Sequence, residues 1–409
     1  MEKAEFYRNA RRDLPGPLAG VRILEATTTW AGPMCGCIFA DLGADVIKAE
    51  LPQGEVARRL PPFLPGPEPR LSFMHTTVNR NKRSLTLDLR RSEGQEVFRR
   101  LATQADVIVE NFRPGIMAAW SLGYEHLRAV KLDIIYVSIS GYGQFGPDHD
   151  QAGYDPAAQA ASGFISLNGE VDGVPVKSPT FLADDLGGLH GAIGALAALR
   201  HRDATGEGQH IDVGLLDALL FQSNGYLTLA ALGAPPRRMG SEFVVAAPAS
   251  VYRCRDGHVM AGVLLDSHWK RLAQLIGRPE LADHPDYAST RARVERRDEV
   301  NGLMARWLEP RSVGDVVSLL REAGLAVAPV RTYADAARDP HVLARDMLQP
   351  TRQEDGSLVP LTGPPTKFSR TPTRVRSEAP ALGAHTDEIL AELGIDAAER
   401  RRLRDAGVI

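Results

Sequence analysis

Asp184 and Asp185 stand side by side in the stretch PTFLADDLGGLHGAIGALAAL, residues 179–199. The residues after them are apolar or glycine apart from one histidine. Such a carboxylate pair has two readings. As structure, an aspartate at a helix start accepts a hydrogen bond from a free first-turn amide and suits the positive end of the helix dipole. As chemistry, a carboxylate can attack a carbonyl and carry an acyl group covalently. The local pattern places the capping reading first. Leu186, Leu189, Ile193 and Leu196 recur at helical spacing and predict a helix burying that stripe. Gly187, Gly188, Gly191 and Gly194 would each weaken the helix by roughly 1 kcal/mol relative to alanine, so something must pack very close to it.

The remaining chemistry-bearing residues form no obvious rival centre. Cys35, Cys37 and Cys254 are the three cysteines; so few fit a reducing compartment. Cys35-x-Cys37 lies in an apolar run and reads as two small buried hydrophobes. The eleven histidines form no HxxxH or HExxH pattern, so no metal is expected. A net charge of −3 with intermixed signs, and no basic stripe, argues against nucleic acid. The polar N-terminus lacks a signal core, and no apolar run reaches the roughly 18 residues of a membrane span. The chain is expected to be cytoplasmic, with no membrane partner.

These residues must be held by elements that the pattern also predicts. A chain of 409 residues with 44% hydrophobic content fits two or three domains. Strands are expected at 21–28, 44–50, 84–89, 105–112 and 132–140, with helices at 31–43 and 92–104. Ser92 and Gln95 have the spacing of a capping box. The continuous apolar strands suit a parallel sheet buried on both faces, and together the series predicts a doubly wound, Rossmann-like α/β domain. Residues 205–220 should add a tight turn, a short strand at 211–213 and a helix. A hairpin is expected at 251–264, turning at Asp256-Gly257. Helices should fill 267–325. The boundaries predict an N-terminal part of the large domain at 1–225, a smaller α+β domain at 226–335, and a return of 336–409 to the large domain.

The opening strand, helix and strand, with Glu50 at the second strand's end, outline a dinucleotide site. Only Gly32 and Gly36 lie between Ala26 and Gly43, however, so the G-x-G-x-x-G fingerprint fails. An NAD dehydrogenase is a weak reading. A related ligand at the carboxyl ends of the strands still fits the fold.

WAGPMCGCIFADLGADVIKAELPQGE, NRNKRSLTLDL, ADVIVENFRPG, SISGYGQFGP, GYDPAAQAASGFISLNG, FLADDLGG and TGEGQHIDVGLLDALL occur in that order. Nearly end to end, the chain resembles the class III coenzyme A-transferases, the group of formyl-CoA and carnitine CoA-transferases. The resemblance implies an enzyme moving coenzyme A from an acyl-CoA to a free carboxylic acid, with no permanently bound cofactor and the CoA thioester as substrate. It implies Asp184 as the nucleophile, through aspartyl anhydride and aspartyl-CoA thioester intermediates. Asp185 falls where relatives are usually uncharged; an adjacent carboxylate could raise the Asp184 carboxyl, but Asp185 is expected rather to cap the helix or face solvent. Gly187 and Gly188 would let the thioester approach the backbone.

The resemblance also places Trp30, Ala31, Arg90, Asn111, Phe112 and Arg113 at coenzyme A and substrate. Trp30 departs from the glutamine common there, and Ala119 falls where some relatives carry a phosphate-binding arginine. A related racemase reading needs Asp184 as a base opposite a histidine. This chain has Tyr154 in Gly153-Tyr154-Asp155, and tyrosine ordinarily titrates near pH 10, which favours transfer. A non-catalytic CoA-binding subunit is a further alternative. His190 reads as a packed histidine. The implied assembly is an interlocked ring homodimer, or a heteromer with a paralogous subunit. The acyl group is not legible in the loops 60–75, 232–250 and 264–270. A formyl or oxalate substrate is disfavoured because the glycine run of the formate enzymes is missing. Arg237 or Arg238 could meet a second carboxylate.

Overall fold

The computed structural model describes residues 1–65, 70–353 and 356–409; positions 66–69 of the 60–75 loop lie outside the described residues. Strands β1 (Arg22–Ala26), β2 (Asp45–Glu50), β3 (Arg83–Thr86), β4 (Val107–Glu110), β5 (Ile135–Ser140) and β6 (His210–Gly214) form one sheet in the order β3-β2-β1-β4-β5-β6. Every pairing in it is parallel. The sequence runs alternate across the sheet as period-2 geometry requires. Leu24, Ile47, Leu85, Ile108 and Tyr136 pack on one face with Phe98, Leu101, Ile389 and Leu403. Ile23, Val46, Val107, Val137 and Ile139 pack on the other with Phe39, Ala192 and Ala195. Strand order reverses between β1 and β4, and open α/β sheets bind ligands at that crevice.

The long helix Leu182–Thr205 buries Ala183, Gly187, Gly188, Gly191, Ala192, Ala195 and Ala198. The expected leucine stripe is not the buried one: Leu189 is 42% and Ile193 51% exposed. The reason is close packing. A Cβ on Gly188 would stand 2.8 Å from the carbonyl oxygen of Ala31, at the start of the Ala31–Asp41 helix, and one on Gly191 3.0 Å from Ile139 Cδ1 of β5. Bulky side chains do not fit there.

Two other local expectations shift. Ser92 does not cap its helix; Arg91 is the N-cap residue of Ser92–Ala102. Ser92 Oγ donates instead to Glu93 and Gln95 Nε2 to the carbonyl of Leu89. The hairpin forms from β7 (Ala249–Cys254) and β8 (Gly257–Gly262), but Cys254 pairs with Gly257. The turn is therefore Arg255-Asp256, held because Asp256 accepts from the N–H of Val313.

Residues 1–164, 177–234 and 341–409 form one compact unit; 165–176 and 235–340 form a second. The second contains β7, β8 and β9 (Ala326–Pro329) as an antiparallel sheet, with a helical core around Trp269, Leu272, Val300, Met304 and Val316. In the first, β10 (Leu348–Arg352) and β11 (Leu358–Thr362) make an antiparallel hairpin. The tail then covers the β3 edge, where Gly383 and His385 donate backbone N–H groups to Ser84. Among the described residues, no helix is long and apolar enough to cross a membrane.

Candidate active site

The loops leaving β1 and β4 are stitched together. Thr28 donates its N–H to Asn111 Oδ1 at 2.8 Å, and Asn111 Nδ2 returns a bond to the Thr28 carbonyl at 2.9 Å. Phe112 N–H is accepted by Glu110, whose carboxyl is pushed up to about 7 chiefly by burial. Thr29 sits at φ 67°, a left-handed conformation unusual for a β-branched residue and of the kind that clusters at functional sites. Glu55 holds it there by accepting the Thr29 N–H at 2.7 Å.

Glu55 belongs to a buried ionic cluster. It pairs with Lys48 at 3.0 Å, Lys48 reaches Glu25 at 3.5 Å, and Glu25 pairs with Lys82 at 2.8 Å. Burial opposes the charge on Glu55, but Lys48, His75 and the Thr29 N–H together outweigh it and hold that carboxyl at about 2. Gly36 makes the cluster possible, because a Cβ there would fall on the Glu25 carboxylate. Glu50 is spent structurally as well: Arg58 and Ser84 donate to its carboxylate.

The long helix presents Asp184 and Asp185 in its first turn, after Phe181 as N-cap residue. Neither aspartate is the cap. Asp155 performs that service from the neighbouring Asp155–Ala161 helix, accepting the N–H of Ala183 at 2.7 Å while Gln159 donates to its other oxygen. Asp185 does not face solvent either; its Oδ1 accepts the indole N–H of Trp30 at 2.7 Å. Burial, then the negative charges of Asp155 and Asp185, push the Asp184 carboxyl up to about 7. Burial also raises Asp185, and the Trp30 bond opposes that shift.

A cavity of about 240 Å³ opens over this junction, lined by Asp184, Trp30, Ala31, Asn111, Phe112, Arg113 and Tyr154 among others. Seven of the sequence-derived site residues thus meet in one place. Ser140, missed in the sequence, also lines the cavity and has a buried hydroxyl without a partner among the described residues. Gly187 and Gly188 do not line it: a Cβ on Gly187 would strike Leu215. Arg90 lines a smaller adjoining cavity of about 90 Å³ that shares Thr28 and Phe112. Its guanidinium forms two 2.7 Å bonds with Asp88. His190 packs edge-on against Phe221. In the second unit, Arg238 donates to the carbonyls of Ser166, Glu170 and Gly173, so it is bound by backbone. Asp155 and Glu55 were also missed; a carboxylate that serves a distant backbone amide leaves no periodic trace.

Among the described residues, no group of three or more His, Cys, Asp or Glu side chains is placed to hold a metal ion. Into the cavity the arrangement offers one carboxylate held near 7, Asp184, with a fixed aromatic wall and a cation at Arg113.

The family model for CoA-transferase family III matches residues 18–386. A succinate–glutarate CoA-transferase of Agrobacterium fabrum is 37% identical over 393 residues, covering 93% of this chain and 97% of the relative. A succinyl-CoA:mesaconate CoA-transferase of Haloarcula marismortui is 36% identical over 395 residues, covering 94% and 98%. A crystal structure of a CAIB/BAIF family protein from Brucella suis is 36% identical and aligns with a TM-score of 0.82 over 93% of this chain and 100% of that one. The chain belongs to CoA-transferase family III and is an enzyme of acyl-CoA metabolism that uses coenzyme A thioesters as substrates.

Proposed function

We propose that this enzyme transfers coenzyme A from an acyl-CoA to a free carboxylic acid, with Asp184 as the covalent nucleophile. The observation that carries the reading is the half-buried Asp184 carboxyl, raised to about 7 in the cavity at the strand-order reversal. A carboxylate ionised at mildly alkaline pH yet poorly solvated is a competent nucleophile. Its oxygen attacks the thioester carbonyl, the C–S bond breaks, and the thiolate leaves, forming a mixed anhydride. The thiolate then attacks the Asp184 carbonyl, releasing the first acid as its carboxylate and leaving an Asp184–CoA thioester. The acceptor carboxylate attacks that thioester, expelling the thiolate and forming a second anhydride. The thiolate attacks the acceptor's acyl carbonyl, which frees Asp184 and yields the new acyl-CoA. Each step substitutes one leaving group at a carbonyl and needs no oxidant or metal.

Arg113 supplies the positive charge for a coenzyme A phosphate or a distal substrate carboxylate. Phe112 and Arg90 flank the smaller cavity, which suits the adenine end. The two relatives' names suggest a succinyl donor and a dicarboxylic acceptor. The assembly is a homodimer, or a heteromer with a paralogous subunit of the kind named for the succinyl-CoA–L-malate CoA-transferase relatives.

Parallel incubations with succinyl-CoA and a 2-methylacyl-CoA in D₂O, followed by hydroxylamine and peptide mass spectrometry, test the reading. A hydroxamate on Asp184 supports transfer. An unmodified Asp184 with deuterium at the α-carbon of a 2-methylacyl-CoA replaces transfer by racemisation.

A further inference from the structure

Trp30 forms part of the cavity wall beside Asp184 and is only 7% exposed. It is constrained from three sides. Its backbone follows Thr29, which Glu55 holds at φ 67°. Its ring lies 5.0 Å from that of Phe181 at 57° and packs with Cys37, Met74 and Val78. Its indole N–H is taken by Asp185, on a different helix. With that N–H satisfied, the indole offers the cavity carbon atoms and no donor. A side chain held this way cannot swing aside without breaking a bond to a half-buried carboxylate, which costs more than breaking a neutral one.

We propose that Asp185 is a positioning residue that locks Trp30 as a rigid wall, and that this wall confines the enzyme to compact acyl groups. The proposal rests on the transferase reading for its substrate class. Asp185 acts through Trp30 and does not itself touch the acyl group. Releasing the indole N–H lets the ring change rotamer and opens the cavity to bulkier thioesters.

The test compares succinyl-CoA with octanoyl-CoA for the wild type, Asp185→Ala, Asp185→Asn, Trp30→Phe and the Asp185→Ala/Trp30→Phe double variant. Two ratios are read: kcat/KM for the two donors, and Kd for the same thioesters by titration calorimetry. The expected result is a fall of about tenfold or more in the preference for succinyl-CoA in Asp185→Ala. Asp185→Asn keeps an acceptor oxygen and stays within about threefold of wild type. Trp30→Phe deletes the N–H from the other side and reproduces the fall even if Asp185→Ala does not fold. Because one bond is removed twice, the double variant shows no further fall. An unchanged ratio in Asp185→Ala or Trp30→Phe, or multiplying effects in the double variant, overturns the proposal. Hydroxamate labelling of wild-type Asp184 is scored separately. Its absence with both donors overturns the transferase reading, and the Kd ratios then decide the wall alone.

Discussion

The carboxylate of Asp155 accepts the backbone N–H of Ala183 at 2.7 Å, one residue before Asp184. One buried acid therefore both caps the helix that carries Asp184 and adds negative charge that helps hold the Asp184 carboxyl at about 7. Asp155→Asn keeps an acceptor oxygen but removes the charge. The acid limb of kcat/KM should move to lower pH, with the fold intact. Asp155→Ala also removes the cap and should cost about 1–2 kcal/mol. Paired pH profiles and urea titrations separate the two effects.

Asp184→Asn should abolish turnover and stabilise the protein at alkaline pH. The folded carboxyl titrates near 7, whereas the unfolded one titrates near 4. Between those values the folded state binds more protons, so this group's contribution falls as pH rises and the penalty is complete above 7. The variant should gain on the order of 2–4 kcal/mol relative to wild type at pH 8 and little at pH 4. Urea unfolding at both values checks the sign.

Gly188→Ala places a methyl 2.8 Å from the Ala31 carbonyl oxygen and 2.9 Å from Met34 Cβ. Overpacking of this kind costs about 1–3 kcal/mol. Because Ala31 lines the cavity, activity should fall with stability. A denaturation midpoint equal to wild type would contradict the close approach.

Lys82→Met removes the 2.8 Å partner of the fully buried Glu25 and the donor to the Pro33 carbonyl. Glu25 then keeps only the more distant Lys48 at 3.5 Å, and so weakening a buried ion pair costs up to about 3–5 kcal/mol. Thermal unfolding should begin well below the wild-type temperature, and the loss should persist in high salt because the pair is shielded from solvent.

Arg90→Ala should leave the unfolding midpoint at its wild-type value, because the Asp88 pair is solvent-exposed on the arginine side. The KM for a CoA thioester should rise several-fold at low ionic strength and converge with wild type as salt screens the charge. A KM that is unchanged at low salt places the coenzyme elsewhere.

The sequence was legible where the signal was local. Continuous apolar runs bounded by turns marked the strands, because burial on both faces leaves no polar alternation. Ordered motifs pointed to the family, and that resemblance picked Asp184 out of the pair that stands ahead of an apolar helix. Caps were less legible. The Ser92–Gln95 spacing promised a box, but the carbonyl of Leu89 competed for Gln95. The Leu189–Ile193 stripe misled because hydrophobicity ranks bulky residues first, whereas a helix pressed onto another helix and a sheet selects small ones.

The sequence by itself thus determined the α/β class, the place of Asp184 at the start of a helix and seven of the residues that line the cavity. Only the tertiary structure decided how they are held. Trp30 and Asp185 are 155 positions apart, Asp155 and Ala183 are 28 apart, and Glu55 and Thr29 are 26 apart. No periodicity spans such separations. A side chain's partner there is set by the order in which parallel strands assemble and by how closely glycine-lined surfaces can approach. These three contacts shape the cavity wall and tune the carboxylate.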